Sequence, residues 1–176
     1  MRLAEILDVI EVVLNASEHP DIVQVDRYGD ATEPWGPNIQ TSKSRSISGV
    51  RVRFQSSASA MIFGAIWPGE TPVPVPDEMP PPARRAPRLA IFVVQLLDVA
   101  RPTKFRSWQL VALSDLGPTD ARGSSPSGVS LVCADGTKML LRVTGASASI
   151  GVDPETEPFP DYVMPDAVKL WHRGRA

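Results

Sequence analysis

Proline is the residue type that most restricts how this chain can fold. The chain has 176 residues and 18 prolines, and eight of these prolines fall within residues 68–87, PGETPVPVPDEMPPPARRAP. Because proline lacks a backbone N–H group, such a segment is excluded from the interior of a helix or a sheet, and its PVPVP repeat favours extended polyproline II geometry. We interpret residues 68–87 as a stiff surface arm, either a connector within one core or an element that reaches a neighbouring subunit.

The rest of the chain predicts a single α+β domain, residues 1–176, built mainly on antiparallel sheet. Its length suits one hydrophobic core. Residues 2–15 place apolar side chains at helical spacing and predict an N-terminal amphipathic helix. The ending DAVKLWHRGRA predicts a short C-terminal helix. Between the last strands and that helix, residues 153–165 are an acidic, proline-broken segment, and no internal repeat is visible.

Strand signals follow the first helix, and two pairs of strands have local evidence for a hairpin. GVRVRFQ alternates apolar and polar residues and precedes the turn SSASA and the apolar MIFGAIW. The dipeptide Asp135-Gly136 suits a two-residue turn that would set Val132 opposite Met139. DIVQVDRY and SWQLVALSD are further strands, and the apolar RLAIFVVQLLDVA predicts a central strand because it is rich in β-branched and aromatic residues and is bounded by prolines.

Charge is uneven along the chain although the net charge is only −2. Residues 1–42 hold two basic and eight acidic side chains, and residues 43–106 hold ten basic and four acidic ones. We expect these parts to neutralise one another in the fold. The low net charge, with no helix-turn-helix or RRM signature, argues against a nucleic-acid partner. Acidic residues at regular intervals in the first helix exclude a signal-peptide core and a membrane span, which predicts a cytoplasmic protein without a membrane partner.

Motifs for enzymatic chemistry are missing from the sequence. GSSPSG lacks the spacing of a nucleophile elbow, neither phosphate-binding glycine motif occurs, and His19 and His172 stand at opposite ends of the chain without a second ligand at helical spacing. Cys133, the only cysteine, lies in an apolar run and is expected to pack as a small apolar residue. The sequence therefore predicts no catalytic residue, no metal site and no cofactor.

A first candidate site combines a carboxylate cluster with the outer face of a strand. The cluster lies where a strand runs into a loop, a common place for active-site acids, and the arginines alternate with core residues of GVRVRFQ. The alternative interpretation is a solvated loop whose aspartates cap turns. The candidate ligand-binding residues are Asp26, Asp30, Glu33, Trp35, Arg51 and Arg53.

A second candidate site lies on the proline-rich arm. Peptide recognition of the SH3 type needs PxxP with a basic residue at a set offset; Met79 occupies the required first position before Arg84, and no second proline follows in place. The arm therefore does not match that motif in either orientation. The candidate partner-binding residues are Pro80, Pro81, Pro82, Arg84 and Arg85.

Three classes of function stay open from the sequence. The favoured one is a non-catalytic protein–protein interaction module, such as an adaptor, an immunity-type inhibitor or an accessory subunit of a larger bacterial complex, whose partner is another protein or its own copies. The bacterial origin is suggested by the preference for arginine over lysine and by abundant alanine and proline. The second is a structural assembly subunit, such as a phage virion or ring-forming component. The third is a small-ligand binder or an enzyme with a site near Asp26, Asp30 and Trp35, which would need a pocket where an acid meets an arginine or histidine distant in sequence.

Overall fold

The computed structural model describes residues 1–29, 48–65, 70–114, 116–117, 119–147 and 151–172. It confirms the predicted α+β class, with a long first helix, one antiparallel sheet and a short last helix. The described helices are α1 (Leu3–Ala16), α2 (Arg85–Ala100) and α3 (Asp166–Lys169). The described strands are β1 (Ile22–Tyr28), β2 (Gly49–Phe54), β3 (Ser59–Ala65), β4 (Glu70–Pro72), β5 (Phe105–Leu113), β6 (Pro126–Cys133) and β7 (Lys138–Ser147).

The described strands form a sheet in the order β1-β2-β3-β7-β6-β5-β4, with antiparallel pairing throughout. One arrangement occurs twice in it: α1 precedes the meander β1-β2-β3, and α2 precedes the meander β5-β6-β7. The third strands of the two meanders, β3 and β7, meet at the centre of the sheet. Both helices share one core with the same sheet face, so the molecule has a helical layer and a sheet layer.

Helix α1 forms because its apolar residues, at helical spacing, are buried together on one face. Ile6, Leu7 and Ile10 are fully buried, while the intervening acidic residues stay nearer to solvent. At the start of the helix the Glu5 carboxylate accepts a 2.8 Å hydrogen bond from the backbone N–H of Arg2, which satisfies a donor that the helix leaves unpaired. No described helix is long and apolar enough to cross a membrane.

The segment predicted as a central strand is a helix, and that prediction was wrong. Residues 85–100 form α2, whose side chains are buried almost all round because the sheet covers one side and α1 with the C-terminal residues covers another. The six consecutive apolar residues 89–94 obscure the helical spacing of Arg85, Arg88, Gln95 and Asp98, and tertiary packing outweighs the β-branched content. The helix ends at Ala100, where Arg101 adopts a left-handed backbone (φ +42°) before Pro102.

Both predicted hairpins are present, one of them in a different register. In β2 the side chains of Val50, Val52 and Phe54 are buried and the arginines between them are exposed, as predicted. In the β6–β7 hairpin Leu131, not Val132, lies opposite Met139. The loop has three residues rather than two: the Cys133 N–H donates to the Thr137 carbonyl at 2.8 Å, and Gly136 supplies the left-handed residue (φ +86°) that such a loop requires.

The proline-rich stretch contains more regular structure than the sequence indicates. Residues 70–72 add β4 to the edge of the sheet beside β5, where a proline is tolerated. The last residues of the predicted arm, 85–87, already belong to α2, and Pro87 lies in its first turn, where no backbone donor is needed. Between them, residues 73–84 bring the chain to the N-terminal end of α2.

Candidate functional site

A cleft of about 310 Å³ lies beside the N-terminal half of α2. One wall comes from α2 and from the turn between α1 and β1. The opposite wall is the C-terminal strap, which we define as residues 151–164. We call the cavity the His19 cleft; its lining residues are His19, Met79, Arg88, Phe92, Gln95, Glu157, Phe159, Pro160, Tyr162 and Met164.

His19 is held in one orientation and one protonation state. Its Nδ1 atom accepts a 3.1 Å hydrogen bond from the backbone N–H of Asp21, so the proton of the neutral ring is on Nε2. The ring packs against Phe92 with centroids 5.1 Å apart and against Tyr162 at 4.4 Å. Burial lowers the pKa of His19, and the nearby positive charge of Arg88 lowers it further, while Glu157 acts in the opposite direction. The imidazole is therefore a neutral donor at neutral pH.

Arg88 and Glu157 form a two-point ion pair at the bottom of the cleft. Arg88 is buried, and its two terminal nitrogens donate to the two Glu157 oxygens at 2.7 and 3.0 Å. One of the same nitrogens also donates to the Pro80 carbonyl at 2.7 Å. The hydrogen bonds from Arg88 keep the pKa of Glu157 below its usual value. Each charge thus has an opposite partner inside the protein.

Arg85 makes a second attachment for the strap one helical turn away. Its guanidinium forms an ion pair with Asp153 and a hydrogen bond to the Ser56 hydroxyl at 3.4 Å. The same group lies over the Phe54 ring, 5.5 Å from the ring centroid. Arg85 and Arg88 therefore hold two carboxylates of the strap against the first turns of α2.

Asp21 occupies a smaller pocket that adjoins the cleft, beside Phe54, Leu89 and Arg88. Burial raises the pKa of its carboxyl group, against the lowering effect of Arg88. Its backbone carbonyl accepts a 3.0 Å hydrogen bond from the Gln55 N–H, which attaches the turn before β1 to the end of β2.

The lining residues set the chemistry that this arrangement can offer. The described residues that line the two pockets include no serine, threonine, cysteine or lysine that could act as a nucleophile. In the described part of the chain, no three His, Cys, Asp or Glu side chains gather closely enough to hold a metal ion. Besides the paired Arg88 and Glu157, the described lining of the cleft consists of apolar and aromatic side chains, the His19 ring and the Gln95 amide.

No family model, curated protein or solved structure matches this chain.

The first predicted site is only partly described. Asp26 lies directly opposite Arg51 in the β1–β2 pair, and Arg53 lies opposite Gln24. By strand alternation these side chains are on the sheet face away from the helices, whereas the His19 cleft is on the helical side. Asp30, Glu33 and Trp35 lie outside the described residues. A ligand-binding role for this group stays a prediction.

The second predicted site lies next to the His19 cleft. Pro82 is buried, Pro81 is half-buried, and Pro80 accepts the hydrogen bond from Arg88. Arg85 is engaged by the strap, and Arg84 is exposed just before α2 begins. A partner-binding role for these residues also stays a prediction.

The sequence missed the residues that form the cleft, because they come from distant parts of the chain. In the sequence, His19 stands out only as a possible metal ligand, Arg88 only as one of many basic residues, and Glu157 only as part of an acidic segment. One usable signal was present: the basic cluster at 84–88 has its complement in the acidic cluster at 153–157.

Proposed function

We propose that this chain is a non-catalytic protein–protein interaction module that receives a side chain of its partner in the His19 cleft. The observation that carries this proposal is the composition of the cleft: its charges are paired with each other, and its remaining surface is apolar with one oriented N–H donor.

The paired charges favour binding over catalysis. A general acid or base needs a proton that it can exchange with a substrate. Glu157 is held as a carboxylate by Arg88, and Arg88 stays a cation that donates to both Glu157 oxygens and to the Pro80 carbonyl. Neither group is available to take or give a proton during a reaction, so they act as a framework for the walls.

The walls suit an apolar or aromatic side chain of a partner protein. Phe92 and Tyr162 supply flat apolar surface, and Met79 and Met164 are flexible side chains that adapt to an inserted group. Interfaces obtain much of their affinity from a few aromatic anchors that fill such pockets. The His19 Nε2–H and the Gln95 amide can then pair with a polar atom at the tip of a tyrosine or tryptophan.

A small organic ligand is a second candidate, supported by the size of the cleft. About 310 Å³ is at the lower end of the range for small-molecule sites. The cleft also brings His19, Arg88 and Glu157 together from distant parts of the sequence, which is the property expected of the ligand-binder class. The same filled-cleft variant tests both candidates.

The experiment selects short linear peptides from a phage-displayed random library on the full chain and measures their affinity by calorimetry. Gln95→Trp places an indole in the cleft, and Gln109→Trp makes the same change at an exposed position of β5. We expect the selected peptides to bind wild type and Gln109→Trp equally and Gln95→Trp at least about tenfold more weakly, as for the loss of an anchor pocket.

If the peptides bind Gln95→Trp as tightly as wild type, and circular dichroism shows both variants folded, the cleft is not the binding site. A set of aromatic amides and carboxylic acids screened in parallel separates the two candidates. If these compounds bind in a Gln95-dependent way and no peptide does, the small-ligand function replaces the interaction function.

A further inference from the structure

The C-terminal strap lies against the protein in the way that a bound peptide does. Residues 151–164 contain no helix or strand. The strap touches the body through spaced side chains, Asp153, Glu157, Phe159 and Tyr162, while residues between them point to solvent. Val152 is 94% exposed and Val163 is 81% exposed. A segment of a folded core would bury such residues.

The contacts of the strap have the chemistry of acidic-peptide recognition. Arg85 and Arg88 are three residues apart on α2, so both point to the same side of the helix. They meet carboxylates four residues apart on the strap, Asp153 and Glu157. Both arginines lie in the first turn of a sixteen-residue helix, where the helix dipole adds to the attraction for negative charge. Arginine clusters at such positions are a common means of binding acidic motifs.

Aromatic anchors follow the carboxylates along the strap. The Phe159 ring meets the edge of His19 at 5.9 Å, and Tyr162 packs on His19 and donates a 2.7 Å hydrogen bond to the Ser17 carbonyl. The strap thus contacts the body through two acids followed by two aromatic residues, in an irregular, proline-containing chain that turns between Phe159 and Tyr162.

The fit between strap and body is incomplete. Protein interiors are packed to a density of roughly 0.74, yet the His19 cleft remains open between the strap and α2. A segment that contacts its groove at only a few points, with empty space between them, is suited to replacement by another segment.

We propose that the groove formed by Arg85, Arg88, His19 and Phe92 binds an acidic, proline-containing irregular segment of a partner protein, and that the strap occupies this groove until the partner displaces it. This inference rests on the interaction function proposed above and specifies the partner: two carboxylates four residues apart, followed by an aromatic side chain that packs against His19 and Phe92 in the place of the strap's own aromatic residues.

Displacement has to overcome the tethering of the strap. A segment joined to its own groove competes at an effective concentration on the order of millimolar, so a free peptide binds weakly to the intact chain. Weakening only the attachment of the strap should therefore expose the affinity of the groove, since Arg88 remains available to the incoming peptide.

The test titrates a fluorescently labelled synthetic peptide, GVDPETEPFPDYVM (residues 151–164), with full-length protein and follows fluorescence anisotropy. Glu157→Gln in the full chain removes the charge that holds the strap to Arg88. We expect this variant to bind the peptide at least about tenfold more tightly than wild type does. Glu155→Gln makes the same charge change at an exposed position of the strap and should bind like wild type.

Two further measurements identify the groove. The double variant Glu157→Gln with Arg88→Met should lose the gain, because the Glu157 carboxylate of the free peptide then has no arginine to meet. A peptide carrying Glu157→Gln should bind the Glu157→Gln chain at least about tenfold more weakly than the unmodified peptide.

Equal peptide affinity for wild type, Glu155→Gln and a folded Glu157→Gln chain would overturn the inference. If Glu157→Gln does not fold, Asp153→Asn weakens the strap at its attachment to Arg85, and its affinity for the peptide is compared with that of wild type in the same way. This inference can fail while the proposed function stands. If the selected library peptides depend on Gln95 but carry no acidic residues, binding in the His19 cleft is supported and the acidic partner is rejected.

Discussion

Arg88 is the residue that joins most parts of the cleft. It connects α2 to the proline-rich arm through the Pro80 carbonyl and to the strap through Glu157. Because it is buried, its charge cannot return to water when a partner is removed, and removal of Arg88 in turn leaves the Glu157 carboxylate without its opposite charge and the Pro80 carbonyl without this donor. The ion pair therefore holds both the strap and the proline-rich arm to α2.

Arg88→Met should lower the free energy of unfolding by about 2 to 3 kcal/mol in urea denaturation. This is less than the 3 to 5 kcal/mol that follows from breaking a fully buried pair, because the Glu157 side chain keeps 32% of its surface exposed. Arg84→Met makes the same chemical change at the exposed position before α2 and should alter stability by less than about 0.5 kcal/mol.

Adding Glu157→Gln to Arg88→Met should recover part of the loss, because the carboxylate left behind by the single change is then neutral. A destabilisation of Arg88→Met no greater than that of Arg84→Met would show that the pair contributes nothing to stability.

At the scale of elements, β2 packs unusually closely against its neighbours at its first residue. A methyl group added to Gly49 would overlap the Ile62 carbonyl oxygen on β3 and the Tyr28 hydroxyl on β1. A backbone oxygen cannot move aside without breaking the strand pairing, so the absence of a side chain at this position sets the spacing of three strands.

Gly49→Ala should therefore destabilise the protein by about 1 to 3 kcal/mol, the range for overpacking. Gly145→Ala in β7 is the matched control, because nothing lies within 4 Å of its added methyl group; its effect should stay within about 0.5 kcal/mol. Thermal denaturation of the two variants measures the difference, and equal stability would contradict the close packing at Gly49.

Elements in which polar and apolar residues alternate regularly could be predicted from the sequence, and α2 could not. In α1 the acidic residues between the apolar ones reveal the period, and in β2 the arginines between valines do the same. In α2 the polar residues Arg85, Arg88, Gln95 and Asp98 keep helical spacing, but the unbroken apolar run from Leu89 to Val94 separates them and suits a buried strand equally well. In the last hairpin Asp135-Gly136 located the turn, but the dipeptide suits two-residue and three-residue loops alike, which left the register open by one residue.

For the whole molecule, the buried ionisable groups of the cleft make stability depend on pH. Folding lowers the pKa of His19 from its usual value near 6.5. Below that value the unfolded chain takes up a proton that the folded chain resists, so stability falls as pH falls. The lowered pKa of Glu157 also makes stability fall as pH falls, below its usual pKa near 4.5. The raised pKa of Asp21 has the opposite effect, because it makes stability fall as pH rises above 3.8.

We expect the thermal midpoint of unfolding to drop between about pH 7 and about pH 5, where His19 is the shifted group of the cleft that titrates. His19→Asn keeps an acceptor for the Asp21 N–H without a proton-binding ring, and its midpoint should be flatter over this range. Calorimetric scans of both proteins test this; a parallel decline in the variant would place the pH dependence elsewhere.

The cleft itself could not be predicted because it exists only in the assembled fold. His19 lies before β1, Arg88 lies in α2, and Glu157 lies after the last strand. No short stretch of the sequence therefore contains two of these residues. Their charges were visible, but the expected neutralisation between residues 1–42 and 43–106 does not include the Arg88–Glu157 and Arg85–Asp153 pairs, whose acids come from the C-terminal acidic segment. Which charges meet depends on the order of strands, for which the sequence holds no local signal.

The central pairing of β3 with β7 has a consequence for how the chain reaches its native state. Within each meander the strands that pair are neighbours in sequence, so their contacts form after shorter loops close. The junction joins Ile62 to Val143, residues 81 positions apart, and closing so long a loop costs entropy before any contact rewards it. Folding speed falls as contacts become more distant in sequence. We therefore expect the two meanders to organise early and the joining of β3 to β7 to limit the folding rate.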